Sequence, residues 1–182
     1  MKLGITGIFG SGKTTVAKHI AKKGYKHINA DQIGHKLLDK TKIKSKIIKQ
    51  FGKQLLTNNK IDRRKLKNIV FYNNKELIKL NRIIHPYIIK EIKKQITKKC
   101  IIDAALLIET KATRLVDKLI VIKITKKELL RRLEKKNKYN KTEINNILRS
   151  QLSQREKLKK ADIIIDNSKD INYTKKQVSK IR

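Results

Sequence analysis

The chain has 182 residues, with 48 Lys and Arg against 15 Asp and Glu for a net charge of +33, and its 38% hydrophobic and 35% charged residues suit one compact domain and exclude a membrane-embedded one. Among the basic residues 39 are Lys, and with 30 Ile and 13 Asn these are the types that AT-rich codons encode, while Arg (9) and Ala (7) are scarce. The charge is spread along the whole chain and Trp is absent, so composition argues against a nucleic-acid partner.

Lys2 to Thr6 reads as a short buried strand, and Gly7 to Thr14 as a glycine-rich turn. A helical pattern follows from about Lys13 to Lys23, with Val16, Ala17, Ile20 and Ala21 on one face and Gly24 at its stop. Tyr25 to Asn29 is a second strand, ending in Ala30-Asp31. Periodicity predicts helices over about 31–38, 43–51, 63–72 and 75–84. A residue before proline is pushed out of the helical region, so one helix is expected to end at His85 and the next to begin at Pro86.

Cys100 to Asp103 and Leu119 to Ile122 read as further strands. Charged helices are expected over about 126–136 and 142–151, parted by a polar break at 135–141. Ile163 to Ile165 reads as the last strand and 173–181 as a closing helix. This alternation argues an α/β domain with a mainly parallel sheet. Apolar runs such as Ala104 to Ile108 are too short to span a bilayer, and the single Cys100 permits neither an internal disulfide nor a cysteine zinc site. No apolar segment with a cleavage site follows Met1, and a cytoplasmic location is expected.

Gly7-x4-Gly12-Lys13-Thr14 fits G-x-x-x-x-G-K-[ST] at every fixed position, between a strand and a helix. Glycines let the backbone wrap closely round phosphates, and the helix N-terminus points at the anion. Lys13 can reach the β- and γ-phosphates and the Thr14 hydroxyl can ligate Mg²⁺. Asp31 and Asp103 follow strands at the edge where ligands of such sheets gather. Transfer to a hydroxyl needs one carboxylate near the attacking oxygen and Mg²⁺ a second, but either acid could equally be a helix N-cap.

The residues from Leu3 to Thr15, the Asn29-Ala30-Asp31 run, Asp62-Arg63 with Leu66 and Val70-Phe71, Leu80-Asn81 and His85-Pro86 together resemble the dephospho-CoA kinase family. So do Asp103 with Leu106-Leu107-Ile108-Glu109, then Arg132-Leu133, Gln151, Lys157, Ala161-Asp162 and Ile165-Asp166-Asn167, in order over nearly the whole chain. The resemblance implies a P-loop NTPase-type three-layer sandwich with a five-stranded parallel sheet, a helical acceptor-binding segment near 55–95 and a lid near 131–160. It implies phosphorylation of the ribose 3′-hydroxyl of dephospho-CoA by ATP, the last step of coenzyme A synthesis. ATP would sit on Gly10, Ser11, Gly12, Lys13, Thr14 and Thr15, with Mg²⁺ on Thr14 and on Asp103. Asp31 would be the base, Lys13 and Arg132 would neutralise the transferring phosphoryl group, and Asp31, Arg63, His85, Asp103 and Glu109 would bind the acceptor. A monomer without membrane contact is expected.

Several of these residues have plainer readings. His85 would simply end a helix, Arg63 be a solvated charge, Asn167 close a turn, Glu109 be a surface acid, and Arg132 with Lys136 a solvated stripe four residues apart. The chain departs from the family pattern at Ile8, for the second glycine of the loop; at Ala105, for a usual proline; at Lys136, for a second lid arginine; and at Lys169, for a glycine. Lys136 lacks the planar fork of arginine, so a weaker phosphate clamp is expected there.

Overall fold

A computed structural model describes residues 1–136 and 140–181. In chain order the elements are β1 (Lys2–Thr6), α1 (Lys13–Ala21), β2 (Lys26–Asn29), α2 (Ala30–Leu37), α3 (Thr41–Phe51), β3 (Leu56–Thr57), β4 (Lys60–Ile61), α4 (Arg63–Tyr72) and α5 (Asn74–Gln95). Then come β5 (Cys100–Asp103), β6 (Lys118–Lys123), α6 (Lys126–Lys136), α7 (Lys141–Arg149), α8 (Gln154–Leu158), β7 (Ile163–Asp166) and α9 (Ile171–Ser179).

Five strands form one parallel sheet in the order β2-β5-β1-β6-β7, as expected, and β3 and β4 make a separate small hairpin. The strands read as continuous apolar runs because both faces of the sheet are covered. Ile101, Ile120 and Ile122 pack with Val16, Ala17 and Ile20 of α1 and Val178 of α9 on one face. Their neighbours Cys100, Ile102, Leu119 and Val121 face a larger core with Ile33 and Leu37 of α2, Ile43 and Ile47 of α3 and Ile84 and Ile92 of α5. Each fully buried Ile or Leu of these layers contributes about 1.5–3 kcal/mol.

One expectation fails. Helix α5 runs unbroken through His85 with Pro86 inside it, instead of splitting there. A proline in a helix interior removes one backbone hydrogen bond and costs about 3 kcal/mol. The offset is that Leu77, Ile84 and Ile92 form one buried face only if the helix stays whole, and that α2 presses on it where Gly34 admits Ile88. Helix α8 and the β3–β4 hairpin were not foreseen from periodicity, being too short to show one. Asn58 and Asn59 form the hairpin turn with φ of 50° and 58°, the paired left-handed conformation that asparagine tolerates. Among the described residues no helix is long and apolar enough to cross a membrane.

Candidate active site

All five parallel strands point their C-terminal ends at one edge, and the glycine-rich loop leaves β1 there. Gly10 and Gly12 have φ of 81° and 88°, a region that suits glycine and strains other residues. A Cβ on Gly12 would also lie 2.3 Å from Asn167 Nδ2, so the loop is closed against the last strand. Gly12 is the N-cap of α1 and offers its first turn no side-chain cap. Helix N-termini of this kind attract anions through their N–H groups and dipole.

Lys13 is buried at the start of α1, with Nζ 3.5 Å from the Ile8 carbonyl. Thr14 is half-buried and Thr15 exposed. Ser11 is fully buried, and its Oγ has no hydrogen-bond partner among the described residues. Asn167 donates from Nδ2 to the Ser11 carbonyl at 2.8 Å and accepts from Thr174 Oγ1 at 2.8 Å, which makes it more than a turn closure. Arg132 on α6 donates through Nη2 to the Asn167 carbonyl and through Nε to Glu128, both at 2.7 Å. Its guanidinium therefore lies beside Gly12 and not out in solvent. Hydrogen bonds from Arg131 and Arg132 hold the Glu128 carboxyl down to about 2. The side chain of Lys136 and residues 137–139 lie outside the described residues.

Next to the loop is a cavity of about 540 Å³, walled by α2, α4 and α5 and by the segment after β5. Asp31, Arg63 and His85 line it, together with Phe9 of the glycine loop and Gln151. Asp31 sits in the first turn of α2, whose N-cap is Asn29. Burial raises its carboxyl above the ordinary value; Lys13 opposes this, Asp103 adds to it and His35 opposes it again. An acid that senses Lys13 and Asp103 while lining the cavity stands between the two halves of the site.

Asp103 is buried at the end of β5, in register with Ile5 on one side and Asn29 on the other. Its Oδ2 accepts from Asn29 Nδ2 at 3.2 Å and lies 3.4 Å from His27 Nε2. Asn29 also accepts from the Gln32 N–H at 2.8 Å, so one amide fixes both Asp103 and the helix that carries Asp31. Neither acid is itself an N-cap. Arg63 is exposed at the rim, 3.8 Å from Asp39 and 3.3 Å from the His35 carbonyl. His85 is lowered below its ordinary value by burial, against the pull of Glu109, so it is neutral at neutral pH and keeps one donor and one acceptor nitrogen.

An adjoining recess of about 440 Å³ is lined by His85, Glu109 and Arg114 among others. The Glu109 carboxylate is turned to Lys157 and to the Leu152 N–H and not outward. Ala105, where the family pattern has proline, uses its carbonyl to accept from Thr6 Oγ1 and Lys157 Nζ. Lys169 needs no left-handed backbone and lies over the Tyr173 ring, so the missing glycine is accommodated. Among the described residues no cluster of three or more acids, His or Cys could hold a metal by itself. A threonine hydroxyl beside a phosphate loop, with one or two carboxylates nearby, fits Mg²⁺, which keeps much of its shell as water and phosphate oxygens.

The family model for dephospho-CoA kinase matches residues 1–172. A dephospho-CoA kinase from Fusobacterium nucleatum is 40% identical over 185 residues, covering 99% of this chain and 96% of its own length. The solved dephospho-CoA kinase from Campylobacter jejuni is 32% identical with a TM-score of 0.70, over 100% of this chain and 96% of that one. A shikimate kinase structure from Aquifex aeolicus, 16% identical with a TM-score of 0.55 over 98% and 94%, shares the fold alone. With sequence and fold agreeing over the full length, the chain belongs to the dephospho-CoA kinase family, the transferases that phosphorylate dephospho-CoA with ATP in the last step of coenzyme A synthesis.

Proposed function

We propose that this chain transfers the γ-phosphoryl group of ATP to the ribose 3′-hydroxyl of dephospho-CoA with Asp31 as the base. The carrying observation is that Asp31 lines the acceptor cavity, where burial raises its carboxyl while Lys13 of the phosphate loop opposes that rise and Asp103 adds to it. Gly10 to Thr15 cradle the triphosphate, and Thr14 and Asp103 hold Mg²⁺, which when bound draws charge from the phosphate oxygens. Lys13 and Arg132 neutralise the transferring group. Arg63 at the rim takes an acceptor phosphate through its fork, His85 offers a neutral hydrogen-bonding ring, and Glu109 shapes the recess beyond.

Residues 55–95 form the acceptor segment and 131–160 the lid of a monomer acting in the cytoplasm. The Asp31 carboxylate accepts the proton of the attacking hydroxyl, and little other covalent chemistry is asked of the protein. Rate enhancement comes from alignment and fixed charge in a closed site. The test is ADP release over a panel of acceptors (dephospho-CoA, nucleoside monophosphates and sugars) at physiological salt, with the product identified by mass. Transfer to dephospho-CoA alone supports the reading; transfer to another acceptor in preference, or ATP hydrolysis without transfer, contradicts it.

A further inference from the structure

Lys157 is among the largest side chains fully withdrawn from solvent, and it comes from the five-residue helix α8. Its Nζ donates to Glu109 Oε1 at 2.6 Å and to the Ala105 carbonyl at 2.9 Å. The same Oε1 accepts from the Leu152 N–H at 2.9 Å, and the Ala105 carbonyl also accepts from Thr6 Oγ1 at 3.0 Å. One residue before Leu152, Gln151 Oε1 accepts from the Phe9 N–H at 3.1 Å. Around the pair these bonds together link three segments: the end of β1 with its phosphate loop, through Thr6 and Phe9; the loop that follows β5 and Asp103; and the connection from α7 to α8.

Burying an ammonium and a carboxylate costs more desolvation than an apolar pair of the same size, and such pairs add little net stability. Glu109 Oε2 is buried and has no hydrogen-bond partner among the described residues, so the carboxylate is incompletely satisfied. What an ion pair provides and an apolar pair does not is direction: short bonds from the α8 ammonium to a carboxylate and a backbone carbonyl of the loop after β5.

We infer that Lys157 and Glu109 are positioning residues, which set the phosphate loop against the acceptor cavity so that donor and acceptor meet in line. The inference rests on the reading of that cavity as the dephospho-CoA site. Because each half-site keeps its own contacts, misplacing one against the other lowers the transfer rate more than either binding step.

The test compares Lys157→Met alone with the double variant Lys157→Met/Glu109→Leu. The single variant strands a buried carboxylate and should melt at a lower temperature than wild type. The double variant should regain most of the melting temperature and hold the KM for ATP within about threefold, yet turn over at least about tenfold more slowly. A double variant with wild-type kcat overturns the inference, since a purely structural pair would be replaced without loss. If the double variant does not fold, Lys157→Met assayed below its melting temperature decides: it removes both bonds of the ammonium, and wild-type kcat there overturns the inference too. Wild-type protein that fails to phosphorylate dephospho-CoA would instead remove the reading of the cavity, a separate result from an unaffected double variant.

Discussion

Asn167 Nδ2 donates to the Ser11 carbonyl at 2.8 Å, a buried bond between residues 156 positions apart. Through it the turn after β7 fixes the phosphate loop that follows β1, two strands away in the sheet. The Asn167 carbonyl also receives Arg132, so one residue sets both the loop and the arginine that faces it.

Replacing Asn167 with Ala removes both side-chain bonds, leaving the buried Ser11 carbonyl without this donor and the Thr174 hydroxyl with only its longer bond to the Asp170 carbonyl. Each such group costs about 1–3 kcal/mol, so Asn167→Ala should lose roughly 2–4 kcal/mol by urea unfolding. The KM for ATP should rise while that for dephospho-CoA stays near wild type. An ATP KM unchanged in steady-state kinetics would show that the bond does not shape the loop.

Asp31 carries the pH dependence. A base works ionised, and burial with Asp103 nearby outweighs Lys13 and His35 to raise its carboxyl. Activity should therefore be lost as pH falls through a value above that of a free carboxylate, and kcat/KM against pH should place the acid limb there. Removing the small opposing charge by His35→Asn should move the limb further up. Asp31→Asn should abolish transfer while ATP binding, followed by fluorescence or calorimetry, stays near normal; substantial turnover in that variant would remove Asp31 from the role.

Arg132 is held by Glu128 on one side and the Asn167 carbonyl on the other, so its guanidinium is placed before substrate arrives. Loss of one preorganised charge of this kind costs on the order of 10²-fold in kcat, which is the expectation for Arg132→Ala. Arg132→Lys should recover only part of that, because an ammonium cannot serve two directions in the plane of the fork. Full recovery by lysine would mean that charge alone matters at this position.

What the sequence showed and what it hid follow from the range of the interactions involved. The glycine loop is a local device, so fixed spacing from Gly7 to Thr14 revealed it, and buried parallel strands such as Cys100–Asp103 announce themselves as apolar runs. Pro86 misled because a local rule about proline was overridden by packing of the whole α5 face on α2. Lys157 was picked out only as a position matching the family pattern, and nothing in its neighbourhood shows that Glu109, 48 residues earlier, waits inside as its partner. Asn29 left a faint signal, an asparagine opening a helix, but its second bond to Asp103 depends on β2 lying beside β5. Residue types were legible wherever chemistry is written in one segment, and partners were not wherever the sheet brings two segments together.

The net charge of +33 leads to the last prediction. Lys98, Lys118 and Lys160 are exposed and stand at or just before the first residues of β5, β6 and β7, at the sheet edge opposite the phosphate loop. Strands rise about 3.3 Å per residue, so the six residues of β6 put Lys118 roughly 20 Å from the site. The Debye length at physiological salt is about 8 Å and at 0.01 M about 30 Å. Changing all three lysines to Gln should therefore leave kcat and kcat/KM near wild type at physiological salt. At low salt the same variant should lose kcat/KM but not kcat, because both ATP and dephospho-CoA are polyanions whose encounter the field then reaches. A loss of kcat at physiological salt would mean that these lysines act by contact or by folding, and a salt-independent kcat/KM would mean that the charge of the far edge does not steer at all.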